Sequence, residues 1–116
     1  MKFIDFEYLE NLTAGDNDTL IIILEKIIEE SRIQKENINK YLAEKNWDEL
    51  KFHSHKLKSS MLYLNNTHMH GLLKDIEHFS FQKTNLDAIP NLVKEFNENI
   101  DPLIDEIELK LKELMA

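Results

Sequence analysis

The chain has 116 residues, 42% hydrophobic and 31% charged, and no cysteine, so it can bury one core but hardly two, and disulfides, thiolate metal sites and thiol nucleophiles are excluded. Its formal net charge of −8 opposes binding to nucleic-acid backbone or to anionic lipid, both of which need a basic surface. The longest aliphatic run, Leu20 to Leu24, falls far short of the roughly 20 apolar residues that cross a bilayer, and Met1 to Glu7 lacks the apolar core of a secretory signal.

A single cytoplasmic domain over residues 1–116 is therefore expected. Because it starts at a Met and fills one domain, a free-standing protein is expected as well.

Phe3, Phe6, Leu9 and Leu12 recur every three residues, which predicts a short first helix ending near Thr13-Ala14-Gly15. Asp16 or Asp18 can cap a long second helix whose apolar face is Leu20, Leu24, Ile27, Ile28, Ile38, Tyr41 and Leu42. Ser31 and Gln34 interrupt that face, and partial exposure or a small drift in register is the expected reason. The other reading places Gln34 near His55, because helices antiparallel about Lys45-Asn46 bring residues near 36 level with 55.

Asn46 can cap a third helix from Trp47 to Leu64, with Asp48 and Glu49 at its positive end. Its core stripe is Leu50, Ser54, Leu57, Met61 and Leu64. Asn65-Asn66 breaks it, since both side chains compete with helical hydrogen bonding. A fourth helix from Thr67 to Phe81 buries Met69, Leu72, Leu73 and Ile76, with Gly71 read as allowing a close helix approach. It ends near Gln82-Lys83-Thr84.

The last helix starts between Leu86 and Pro90 and carries Leu92, Val93, Phe96, Ile100, Leu103, Ile104, Ile107, Leu109, Leu111 and Leu114. Pro102 lacks an N–H and is expected to kink or split it. Long amphipathic helices with short connections predict an all-α antiparallel up-down four-helix bundle with a short extra N-terminal helix.

Within the third helix, Ser54-His55-Lys56-Leu57-Lys58-Ser59-Ser60 turns His55 about 140° from the core stripe, toward water, with Lys51, Lys58 and Ser59 three or four residues away on its own side. Charge is uneven along the chain. Residues 1–44 hold ten acids against five bases, as do residues 61–116, whereas residues 45–60 hold Lys45, Lys51, Lys56 and Lys58 against Asp48 and Glu49. The one basic island contains His55.

Phe52, Leu62 and Tyr63 also project to the His55 side. Phe52 fits equally a docking patch or a cover by the first helix through Phe3 and Phe6; burial is the expected outcome for Leu62 and Tyr63.

A metal site is not expected. His53 and His55, like His68 and His70, are two residues apart and turn roughly 200° away from each other, and no Glu-x-x-His or His-Glu-x-x-His pattern occurs. His53, on the flank of the stripe, is expected to be a partly buried packing residue, and His68, His70 and His78 ordinary surface or flank positions. Neither a nucleophile elbow nor a glycine-rich phosphate loop appears, so hydrolase and ATP-binding readings lack support.

The heptapeptide resembles the signature of the histidine-containing phosphotransfer (HPt) family: His, a variable residue, Leu, Lys, Gly and a small residue. Here His55, Leu57, Lys58 and Ser60 match. Leu42 to Leu50 is similar to the family's stretch before that histidine, and Met69, Leu72, Ile76 and Glu77 follow its pattern in the next helix. Two departures are Ser59 and Asn65, each where the family usually has Gly.

The resemblance implies that His55 is the phosphoacceptor and that Lys58, with Lys51 as the second candidate, compensates phosphoryl charge. Ser59 either crowds the approaching partner or hydrogen-bonds the phosphoryl group. Lys51, Phe52, Lys56 and Leu62 would contact partners, which are response-regulator receiver domains and, as a further class, a hybrid histidine kinase. The chain would be a monomeric phosphocarrier without cofactor, ATP site or autokinase activity, and Mg²⁺ would come with the receiver. The alternative is a degenerate relative that binds receiver or kinase domains without being phosphorylated.

Overall fold

The computed structural model describes residues 3–116, and its elements follow the apolar periods of the sequence. The helices are α1 (Phe6–Leu12), α2 (Asn17–Ala43), α3 (Trp47–Tyr63), α4 (Thr67–Gln82) and α5 (Ile89–Met115), with a 3₁₀ turn at Leu86–Ala88 before α5. Four of them begin at a side chain that accepts otherwise orphaned backbone N–H groups. Asp5 accepts from Tyr8, Asp16 from Asp18 and Thr19, Asn46 from Glu49, and Asn66 from Met69. Asp16, rather than Asp18, thus starts α2. No side chain caps α5, where Pro90 in the first turn has no N–H to satisfy.

The turns close tightly. Lys45, Asn65 and Lys83 all take left-handed backbone angles, with φ of 54°, 53° and 54°. Asn tolerates that region; a Lys there costs about 1 kcal/mol.

α2 packs on α3 and α5, and α4 packs on the same two, which closes a ring of four antiparallel helices. The molecule measures 45 × 23 × 20 Å, its long axis close to the roughly 40 Å expected of a 27-residue helix. A reciprocal amide pair sets the α2–α5 register: Asn39 Nδ2 donates to Asn97 Oδ1, and Asn97 Nδ2 donates to Asn39 Oδ1, both at 2.8 Å. The α3 stripe from Leu50 to Leu64 is wholly buried. It meets Leu24, Ile38, Leu73, Ile76, Phe96 and Ile100 in one core.

α1 and the residues before it cross the end of the bundle where α3 turns into α4. The Asp5 N–H donates to Leu64 C=O at 3.0 Å, Asn66 Nδ2 to Phe3 C=O at 2.9 Å, and the Phe3 N–H to the Glu106 carboxylate at 3.0 Å. Leu9 is wholly buried, but Leu12 is exposed, so the apolar period of α1 runs out before its end.

Four expectations are corrected here. Ser31 and Gln34 are wholly buried, not partly exposed; Gln34 is tolerated because its amide is paired, whereas the hydroxyls of Ser31, Ser54 and Ser80 have no hydrogen-bond partner among the described residues. Gly71 mediates no close helix approach, since a Cβ there would meet nothing within 4 Å. Pro102 does not split α5: it lies on the exposed face, where water can satisfy the carbonyl one turn earlier. Leu62 and Tyr63 are exposed, at 52% and 49%. Phe3 and Phe6 do not cover them, because the N-terminal segment is tied to the α3–α4 turn and to α5, where Lys110 Nζ stands 5.1 Å from the Phe6 ring centre.

Candidate functional site

Residues of α3 and α4 converge on one carboxylate. The α3 periodicity that buries Leu50, Ser54 and Leu57 turns the His55 side chain outward, 65% exposed. Since α3 and α4 form a hairpin about Asn65-Asn66, Glu77 on α4 comes level with it. The Glu77 oxygens lie 3.0 and 2.9 Å from His55 Nδ1, and Lys58 Nζ donates to the same two oxygens at 2.8 and 3.2 Å.

Burial of Glu77 pushes its carboxyl up, but hydrogen bonds and positive charge from Lys58 and His55 outweigh this and hold it below the usual glutamate range. An ionised carboxylate only accepts, so the facing nitrogen carries the hydrogen: His55 Nδ1–H donates to Glu77. In the neutral ring the lone pair is then on Nε2, on the far edge. The arrangement orients an imidazole, enforces one tautomer and leaves a nucleophilic nitrogen toward solvent.

Glu77 is the residue that sequence reasoning left out of the site. It was visible only as the end point of the α4 apolar pattern; the usable signal was the turn at Asn65-Asn66, which reflects residue 55 onto a position near 76.

The other site residues spread around His55. Ser59 is exposed on the same face. Phe52, 55% exposed, sets its ring edge-on to His53 at 5.0 Å, and Leu62 stands exposed one turn beyond Ser59. Lys56 leans to α2, 3.8 Å from Glu30. Lys51 leans to α4, with Nζ 4.8 Å from the Phe81 ring centre.

Gln34 is not at His55. Its Oε1 lies 2.6 Å from Nδ1 of His53, which Glu49 flanks at 3.3 Å on Nε2 and which stacks on Tyr41 with ring centres 5.3 Å apart. His53 is thus the partly buried packing histidine expected, and Gln34 ties it to α2.

Two grooves flank the site. One, of about 510 Å³, runs between α3 and α4 past Lys58 and Glu77; the other, of about 360 Å³, lies between α2 and α3 beside Lys56, Ser60 and Tyr63. A larger groove, about 730 Å³, lies between α2 and the C-terminal half of α5 and touches none of these residues.

Residues 22–114 match the Hpt domain family. The chain belongs to that family. Hpt domains are phosphocarriers that work with receiver domains and kinases in two-component signalling, so the role of this chain is phosphotransfer within a phosphorelay. The matched span takes in all of α3 and α4 and excludes α1. In fold, the chain is similar to the crystal structure of histidine-containing phosphotransfer protein B from Pseudomonas aeruginosa PAO1, with a TM-score of 0.84 over 96% of each chain at 14% identity. No curated protein sequence matches it significantly. Among the described residues, no helix of this Hpt domain is long and apolar enough to cross a membrane.

Proposed function

We propose that His55 is the phosphoacceptor and that Glu77 and Lys58 prepare it. The observation that carries this is the bond from His55 Nδ1–H to Glu77, which leaves Nε2 as the outward nucleophile on an exposed ring. In the forward step the Nε2 lone pair attacks the phosphorus of an aspartyl phosphate on a receiver domain, the P–O bond to that aspartate breaks, and the aspartate leaves as a carboxylate. The phosphorylated ring keeps its Nδ1 hydrogen and becomes cationic, and Glu77 opposes that charge.

The onward step reverses this. A carboxylate oxygen of a second receiver attacks the phosphorus, the N–P bond breaks, and its electron pair returns to Nε2. No proton is gained or lost by the carrier.

Lys58, which shares the Glu77 carboxylate with His55, offsets the charge of the equatorial oxygens, which together with in-line placement makes up most of phosphoryl-transfer catalysis. Mg²⁺ belongs to the receiver. Phe52 and Leu62, with Lys51 and Lys56 beside them, form the docking face, and Ser59 lies within it as a neighbour of the phosphoryl group. Visits by two partners in turn need an accessible His55, which favours a monomer with this face open.

Incubation with phosphorylated receivers and Mg²⁺ tests the reading. The chain should acquire an acid-labile, alkali-stable phosphate that His55→Gln abolishes. Failure to label with every receiver of the source organism would sink it, and receiver binding that persists without labelling, equally in His55→Gln, would establish the degenerate-module alternative.

A further inference from the structure

Lys58 is not a free cation, because both its short contacts go to the carboxylate that also holds His55. The uncompensated positive charge beside the site belongs instead to Lys51 and Lys74. Lys74 is exposed on α4, one turn before Glu77. Neither lysine has an ion-pair partner among the described residues, and Lys51 contacts only the exposed ring of Phe81. Both line the α3–α4 groove. Three lysines there face Asp75 and Glu77, so the groove has a net charge of +1 in a chain of net −8.

We propose that this groove reads the charge of the partner: Lys74, with Lys51 at the other end, engages carboxylates on the rim of the receiver that docks over His55, and so helps decide which receivers bind. The inference rests on the phosphocarrier reading. Geometry favours a protein rim over the phosphoryl group as the occupant. Lys51 and Lys58 are two turns, roughly 10 Å, apart along α3, and a groove of about 510 Å³ is far larger than one phosphoryl group. Rim charges act mainly on encounter and register, so the expected effect is on binding and falls with salt.

The test is phosphotransfer to the full-length chain from a purified phosphorylated receiver that labels His55, over a range of receiver concentrations at roughly 50 mM and 500 mM salt. Lys74→Gln should raise the half-saturating receiver concentration roughly 3- to 10-fold at low salt without changing the limiting rate. Lys74→Arg should retain the wild-type value, Lys51→Gln should shift in the same direction as Lys74→Gln, and the differences should close at high salt.

An unchanged half-saturation in Lys74→Gln, or a loss that is the same at both salts, overturns the proposal. So does a loss confined to the limiting rate, which would place Lys74 on the phosphoryl group. If the wild-type chain takes no phosphate on His55, the phosphocarrier reading falls and takes this inference with it; a labelled wild type with an unaffected Lys74→Gln removes the inference alone.

Discussion

Glu77 holds two donors at once, and its replacement separates orientation from charge. In Glu77→Gln an amide oxygen can still accept from His55 Nδ1–H, but the negative charge proposed to oppose a phosphorylated ring is gone. Neutral hydrogen bonds are about half as strong as charge-assisted ones, so transfer should slow by about tenfold, equivalent to about 1.4 kcal/mol, in a rapid-quench assay. The same residue links stability to pH. Its folded-state carboxyl lies below the usual range, so its contribution is fully present above the unfolded value of about 4.3 and is lost as pH falls through the folded one. Thermal melts from neutral pH down to about pH 3 should show a steeper acid loss in the wild type than in Glu77→Gln; equal slopes would deny the linkage.

At the level of elements, caps and turns carry the design. Asn66 both starts α4, accepting from the Met69 N–H at 2.9 Å, and holds the N-terminal segment through Phe3 C=O. Asn66→Ala should cost about 1–2 kcal/mol, read as a lower urea midpoint with unchanged m.

Most of this layer is legible in the sequence, because the α3 stripe from Leu50 to Leu64 has an unbroken helical period, Asn46 is a strong cap and Asn65-Asn66 marks the break before α4. What escaped had a partner on another helix. Gln34 looked like a break in the α2 face, since a polar side chain is ordinarily exposed; it is buried because His53 and Glu30 satisfy it. Glu77 enters the sequence reading only as the end of the family-like pattern in α4, and the hairpin is what brings it to His55. Leu62 and Tyr63 depart from expectation for the converse reason: their apolar character predicts a cover, while the N-terminal segment that could supply one is anchored elsewhere.

Over the whole molecule, stability and chemistry draw on different parts of the chain. The core gathers residues from all five helices around side chains such as Phe96, which is wholly buried. Phe96→Ala should lower unfolding free energy by about 3–5 kcal/mol in denaturant titrations. Surface pairs such as Arg32–Glu108, both sides well exposed, add little by comparison.

The site itself is compact in chain terms. His55 and Glu77 are 22 positions apart, whereas the Phe3–Glu106 bond that fastens the N-terminal segment spans 103. Loop-closure entropy grows with the logarithm of that separation, which makes the longer closure costlier by roughly 1.4 kcal/mol. The proposed phosphoacceptor constellation is therefore a property of one hairpin, inexpensive to close and not directly dependent on the clasp at the chain's end. Fraying of that clasp would loosen the end of the bundle while leaving imidazole, carboxylate and ammonium in register.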